Sequence, residues 1–194
     1  MQKKTYTLTI GGKTMTATFS DLADQAGGSV IFQYGKSSVL ATAVMGKDRQ
    51  AGMGYFPLTV DYEEKFYAAG QILGGRFNKR EGKPSDEAVL SGRVVDRTIR
   101  PLFDHRIRNQ VQVIVNVLSI DEDDPDVLAV NAASLALATS DIPWAGPVSA
   151  IRIGKNSANE IVVNPTYKDR ERDTYHFDVL ACGRDQLINM IEVG

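Results

Sequence analysis

The chain has 194 residues, 43% of them hydrophobic, and 24 acidic side chains against 22 Lys and Arg leave a net charge of −2 and a pI near 5.7. That size supports one well-buried core, and the near-neutral balance means that any affinity for nucleic acid or phosphate must come from local segregation of charge. A lone Cys182 excludes an internal disulfide, and His105 and His176 stand too far apart to suggest a metal site. No apolar run reaches the roughly 20 residues of a membrane span, and MQKKTYTLTIGG lacks a signal-peptide core, so a cytoplasmic protein without membrane contact is expected.

Taken in order, Thr5 to Ile10 and Lys13 to Phe19 alternate apolar and polar residues around Gly11 and Gly12, which predicts a hairpin with a two-residue turn. Ser29 to Tyr34 and Ser38 to Met45 repeat the pattern around Gly35 and Lys36, and Phe56 to Tyr62 supplies a further strand. This opening predicts a meander rather than alternating βαβ units. Phe66 and Tyr67 then flank a turn ahead of Gly70, where core packing is the ordinary fate of such rings and base stacking the functional alternative.

The stretch from Gly70 to Phe103 concentrates flexibility, charge and helical periodicity. Gly74 and Gly75 open a loop carrying Arg76, Phe77, Lys79 and Arg80, groups able to pair with phosphates or stack on bases. Pro84 and Ser85, followed by Asp86 and Glu87, announce a helix start. Ala88, Gly92, Val95 and Ile99 fall on one face of that helix and predict its buried stripe. Arg93, Arg97 and Arg100 share another stripe, up to Pro101. Asp96 lies within i,i+3 and i,i+4 reach of Arg93 and Arg100, so ion pairing on a solvated face is the structural alternative for each arginine. Three stacked arginines behind a cationic loop repel one another unless a polyanion offsets them, so the group as a whole points to an anion site.

Val111 to Leu118 is the most β-branched segment and predicts an interior strand. The acidic run from Asp121 to Asp126 suggests a solvated turn, with Asp124 as N-cap and Pro125 at the first position of a helix through Thr139 that is buried on most sides. Val148 to Ile153, Glu160 to Asn164 and His176 to Ala181 predict strands, 168–173 an exposed loop, and Arg184 to Val193 either strand or helix. The fold class expected is α+β, with two helices packed on mostly antiparallel sheet. No nucleophile elbow, Walker loop, HExxH or paired CxxC is present, which removes the commonest hydrolase, NTPase and zinc chemistries. Asp178, inside an apolar strand, is open to a catalytic role or a plain acceptor role.

The segment FPLTVDYEEKFYAAGQILGGRFNKREGKPSDEAVLSGRVVDRTIRPLF, with NQVQVIVNVLSID, PDVLAVNAASLALA and IPWAGPVSAIRIG after it, resembles the first RNase PH-type domain of bacterial polynucleotide phosphorylases. The resemblance runs from about residue 5 to the end. It implies an RNase PH-like fold of the ribosomal protein S5 domain 2-like kind. It also implies a parent enzyme that degrades single-stranded RNA from the 3′ end, with inorganic phosphate as nucleophile and Mg²⁺ as cofactor, releasing nucleoside diphosphates. The same likeness implies a homotrimeric ring, contacts with RNA degradosome components, and a second RNase PH domain, a helical domain and KH and S1 modules outside residues 1–194. The end at Gly194, straight after an apolar run, suggests a domain truncated at its C-terminus.

By the same likeness Phe77, Lys79 and Arg80, beside Arg76, match a channel-lining loop, with Asn78 making the loop one residue longer and the second aromatic lost. Arg93, Arg97 and Arg100 match a helix that contacts RNA or an adjoining active site. Where the family's catalytic copy carries serines, Pro125 and Asp126 stand here. Asp178 matches one catalytic aspartate, Arg172 falls near the other, and Leu180 replaces a lysine. Carboxylates at 124 and 126 are expected to repel phosphate. The domain is therefore expected to guide RNA without catalysing, with no metal ligands of its own; an active transferase and a pure ring-assembly module are the alternatives.

Overall fold

The computed structural model describes residues 2–49, 52, 54–74, 77, 82–170 and 175–193. The first hairpin forms as its alternation requires: β1 (Lys3–Ile10) and β2 (Lys13–Ser20) pair antiparallel, and Gly11 and Gly12 both take positive φ, 59° and 78°, which a tight turn between twisted strands needs. β3 (Gly28–Tyr34) and β4 (Ser37–Arg49) extend the meander. β5 (Leu58–Glu63) departs from it. The six-stranded sheet runs β1-β2-β3-β4-β6-β5, with β6 (Asn109–Ser119) antiparallel to β4 and parallel to β5.

The expected meander thus ends at β4, and β5–α1–β6 is a crossover unit, α1 being the helix Asp86–Ile99. A parallel pair needs a long connection, and residues 64–108 provide one that contains a helix. β6 occupies the interior position its composition predicts: Val111, Val113, Val115 and Val117 are fully buried, against Val39, Ala41 and Ala43 of β4.

A second sheet, entirely antiparallel in order β10-β9-β7-β8, comprises β7 (Ser149–Asn156), β8 (Ile161–Val163), β9 (Tyr175–Arg184) and β10 (Leu187–Val193), so the segment that could have been strand or helix is strand. Both long helices lie between the sheets. α2 (Pro125–Ala138) packs on β3 and β4 on one side and β7 on the other, while α1 packs on β5, α2 and β10. A helix between two sheets must be apolar all round, which explains why α2 shows no polar stripe and buries Leu128, Val130, Ala133 and Leu137 alike.

Side-chain amides and hydroxyls join the layers. Asn131 on α2 donates to the Ala150 carbonyl and accepts from the Ala150 N–H, and Ser134 accepts from the Val148 N–H at 2.9 Å. Trp144 donates to the Ile99 carbonyl and Asn189 of β10 to that of Thr98, tying the end of α1 to its surroundings. The stretch 168–173 is not simply a loop, since a short helix α3 (Tyr167–Arg170) occupies its start; residues 171–174 lie outside the described residues.

Gly28 marks the closest approach of α2 to the large sheet, because a Cβ there would be driven into the Ala136 carbonyl and against Ser140. Gly28→Ala is expected to lower the stability of the chain by about 1–3 kcal/mol, whereas Gly54→Ala, with open space around it, should change the urea midpoint little.

Candidate nucleic-acid interface and a closed polar centre

α1 begins where the sequence places it. Ser85 caps the helix by accepting from the Ala88 N–H at 3.0 Å, and Ala88, Gly92, Val95 and Ile99 form the buried stripe. Arg93 and Arg97 project into solvent. Arg100 does not join them. Its Nε and Nη2 both donate to the Asp96 carboxylate, at 2.9 and 2.5 Å, and Nη2 also donates to the Leu58 carbonyl at 3.2 Å, so it clamps the helix end to β5. Arg93 borders a groove of about 440 Å³ between α1 and β5, with Thr59, Asp61 and Glu63 on the opposite wall.

Of the loop residues, Phe77 is 91% exposed. Arg76, Lys79 and Arg80 lie outside the described residues. Phe66 and Tyr67 do not sink into the core, the ordinary fate of such rings; they remain 44% and 54% exposed on a 3-10 turn, Phe66–Ala69, whose buried member is Ala68. Ile72 is exposed as well, so an apolar and aromatic surface runs up to the cationic loop.

The start of α2 is built differently. Asp124 is the N-cap, accepting from the Asp126 N–H at 2.9 Å. Arg152, from the inward phase of β7, reaches Asp124 at 2.8 Å and Asp178 of β9 at 2.9 Å. Arg170 of α3 reaches the same two carboxylates at 2.9 and 3.1 Å. Two guanidiniums and two carboxylates close a ring, with Arg152 only 9% and Asp124 only 6% exposed. The Arg170 guanidinium stacks 4.7 Å above the Tyr167 ring, and Tyr167 donates to Asp124 at 3.4 Å.

The acidic run is therefore only partly solvated. Asp121 and Glu122 face water, while Asp123 is buried and paired with Lys13 of β2 at 2.5 Å. The expected repulsion of phosphate by bare carboxylates is also replaced, because Asp124 is matched by two cations whose donors are already engaged. Asp178 is an acceptor of ion pairs. Among the described residues no group of three or more His, Cys, Asp or Glu is gathered for a metal, and the two carboxylates nearest to such a role are covered by guanidiniums, so this centre does not fit Mg²⁺.

Sequence reasoning missed Arg152 and Arg170. The signal for Arg152 was its phase: Ala150, Arg152 and Gly154 share the buried face of β7. Arg170 was hidden in a mixed-charge tract that resembles any solvated loop.

A six-stranded mixed sheet and a four-stranded antiparallel sheet enclosing two helices, with a closed ion-pair centre at one helix start, define an RNase PH-type domain. The family model for the 3′ exoribonuclease family, domain 1, matches residues 11–143, and the chain belongs to that family. It is 49% identical over 184 residues, 94% of its length, to the polyribonucleotide nucleotidyltransferase of Thermomicrobium roseum, and 43% identical over 190 residues, 97% of its length, to that of Heliobacterium modesticaldum. These alignments take in 23% and 26% of those proteins, so the chain spans about a quarter of their length. Among solved structures the rice (Oryza sativa) Rrp46 superposes with a TM-score of 0.72 at 16% identity, covering 92% of this chain and 79% of that one. A chain of the Archaeoglobus fulgidus exosome with RNA bound to the active site gives 0.66 at 16% identity, covering 100% and 77%.

Beside the closed ring, burial and then the Asp124 carboxylate push the Asp126 carboxyl up to about 7, with Ser91 and Arg152 pulling the other way. The folded state then holds a proton that the unfolded chain, with a carboxyl near about 3.9, releases. This carboxyl's contribution to stability is full at acid pH and is lost as pH rises toward 7. Asp126→Asn removes that dependence. It is expected to melt above the parent chain at pH 8, with the gap closing by pH 5, as followed by circular dichroism.

Proposed function

We propose that the chain is the first RNase PH-type domain of a polyribonucleotide nucleotidyltransferase, a ring-forming domain that guides single-stranded RNA and does not itself catalyse. In this reading the parent enzyme is a phosphorolytic 3′–5′ exoribonuclease of the cytoplasm that assembles as a homotrimer and contacts degradosome components. Its Mg²⁺ and phosphate sites belong to a second RNase PH domain beyond residues 1–194, with helical, KH and S1 modules following. The observation that carries the reading is a division of cations. Arg152 and Arg170 are buried against Asp124 and Asp178, where a reacting phosphate would need free donors. Arg93 and Arg97 face water beside the loop that bears Phe77.

RNA contact is assigned to Arg76, Phe77, Lys79, Arg80, Arg93 and Arg97. Arg100 takes part through its place on the same stripe, although its clamp on Asp96 and Leu58 gives it a structural share. Proline at the first position of α2 removes one backbone donor from the helix start, and Asp124 accepts another.

Two experiments test this. Replacing Lys79 and Arg80 together by alanine should weaken binding of a long oligonucleotide and reduce the slope of log affinity against log salt by about 0.7 per lost phosphate contact; an unchanged slope would remove the loop from the RNA path. The chain supplied with RNA, Mg²⁺ and excess phosphate should release no nucleoside diphosphate, and phosphate-dependent release that disappears in Asp178→Ala would establish an active transferase instead.

A further inference from the structure

The turn Phe66–Ala69 and the approach to α1 enclose a second cavity, of about 470 Å³, whose walls include Phe66, Leu73 and Ile120, the Gln71 amide and Lys83. That volume lies in the range of small-ligand sites. Its aromatic wall is fixed by backbone rather than by burial. Ala68 N–H donates to the Lys65 carbonyl, Gly70 N–H to that of Tyr67, and Gln71 N–H to that of Phe66, while the Ile120 N–H at the end of β6 donates to Ala68. Gly70 closes the turn at φ 67°, a conformation that glycine adopts without strain. The Phe66 ring is thus held in place while remaining 44% exposed. An aromatic ring kept at the surface by the fold, instead of being covered by it, is the arrangement used to stack a nucleobase.

Lys83 supplies the charge. It lies on the far wall, exposed, immediately before Pro84 and the Ser85 cap. On the near wall Glu64 accepts from the Tyr62 hydroxyl at 2.8 Å, so negative charge lies at that end and positive charge at the other. A nucleotide placed with its base on Phe66 and its phosphate toward Lys83 meets both ends with the right sign. The Gln71 amide offers one donor and one acceptor to a base edge.

We propose that this cavity is a nucleotide subsite of the RNA path, in which Phe66 stacks one unpaired base and Lys83 pairs with its phosphate. The inference rests on the RNA-guiding reading above. Continuity supports it, because the two walls are the flanks, 71–74 and 82–85, of the segment that carries Phe77.

The test compares binding of the chain to a fluorescent oligouridylate with binding to an abasic ribose-phosphate oligomer of equal length. Phe66→Leu should lose about fivefold or more in affinity for the oligouridylate, the size expected for one base–aromatic stack, with no change on the abasic strand and no change in salt slope. Phe66→Trp, which keeps a ring, should retain the preference for bases. Lys83→Gln should reduce the salt slope by about 0.7 on both strands. Parent-like discrimination in Phe66→Leu, or equal loss in the Leu and Trp variants, overturns the subsite while leaving the guiding role intact. Failure of the parent chain to bind either strand overturns both.

Discussion

The ring of Asp124, Arg152, Asp178 and Arg170 is the contact on which the joining of the layers depends. Its members come from the cap of α2, from β7, from β9 and from α3, so one small volume links a central helix to three elements of the smaller sheet. Burying four charges carries a large desolvation cost, and it is offset only while each guanidinium keeps both carboxylates. The ring therefore holds together as a unit. That mutual dependence also closes the centre to outside ligands: an anion would have to displace a carboxylate from two arginines at once, and a cation would have to displace an arginine.

Around that centre the molecule divides its polar chemistry by depth. Inside, Asn131 and Ser134 complete the backbone pairing of β7, and Lys13 answers Asp123. Outside, on α1 and the turn before it, arginines and aromatic rings stay in water although the same sheets could have covered them. The buried stripe of α1 is small-residued near its start, with Ala88 and Gly92, which lets the helix settle within van der Waals contact of β5 at Tyr62. Close seating of the helix leaves its basic side standing clear.

Much of this was legible from local signals. Alternation around glycine pairs located the hairpins, the Ser85 and Asp124 caps located the helix starts, and the unbroken apolar composition of α2 forecast burial on all sides, since these features depend on neighbours a few residues away. Strand order was not legible. Nothing near β5 records that it will lie parallel to β6 rather than beside β4, because that choice is made by the crossover and by the packing of α1. The closed ring was illegible for the same reason. Asp178 and Asp124 meet only through Arg152 and Arg170, and a run such as KDRERD has the same composition whether it dissolves in water or turns a guanidinium inward. The stripe on α1 gave the right face for three arginines, but the acceptor that diverts Arg100 is a backbone carbonyl at Leu58 that no periodicity predicts.

The crossover between β5 and β6 has a consequence for how this domain can vary. Both ends of the segment 64–85 are moored to rigid structure: one leaves the sheet at Glu63 and is fastened again through Ala68 to Ile120, and the other is locked by the Ser85 cap at the head of α1. Between such moorings the entropy of closing a loop grows only with the logarithm of its length. An inserted residue such as Asn78 can then lengthen the loop without shifting the register of either strand or the pitch of the helix. Relatives of this chain are free to alter how far the loop reaches, and which rings and cations it offers, while inheriting the same fold unaltered.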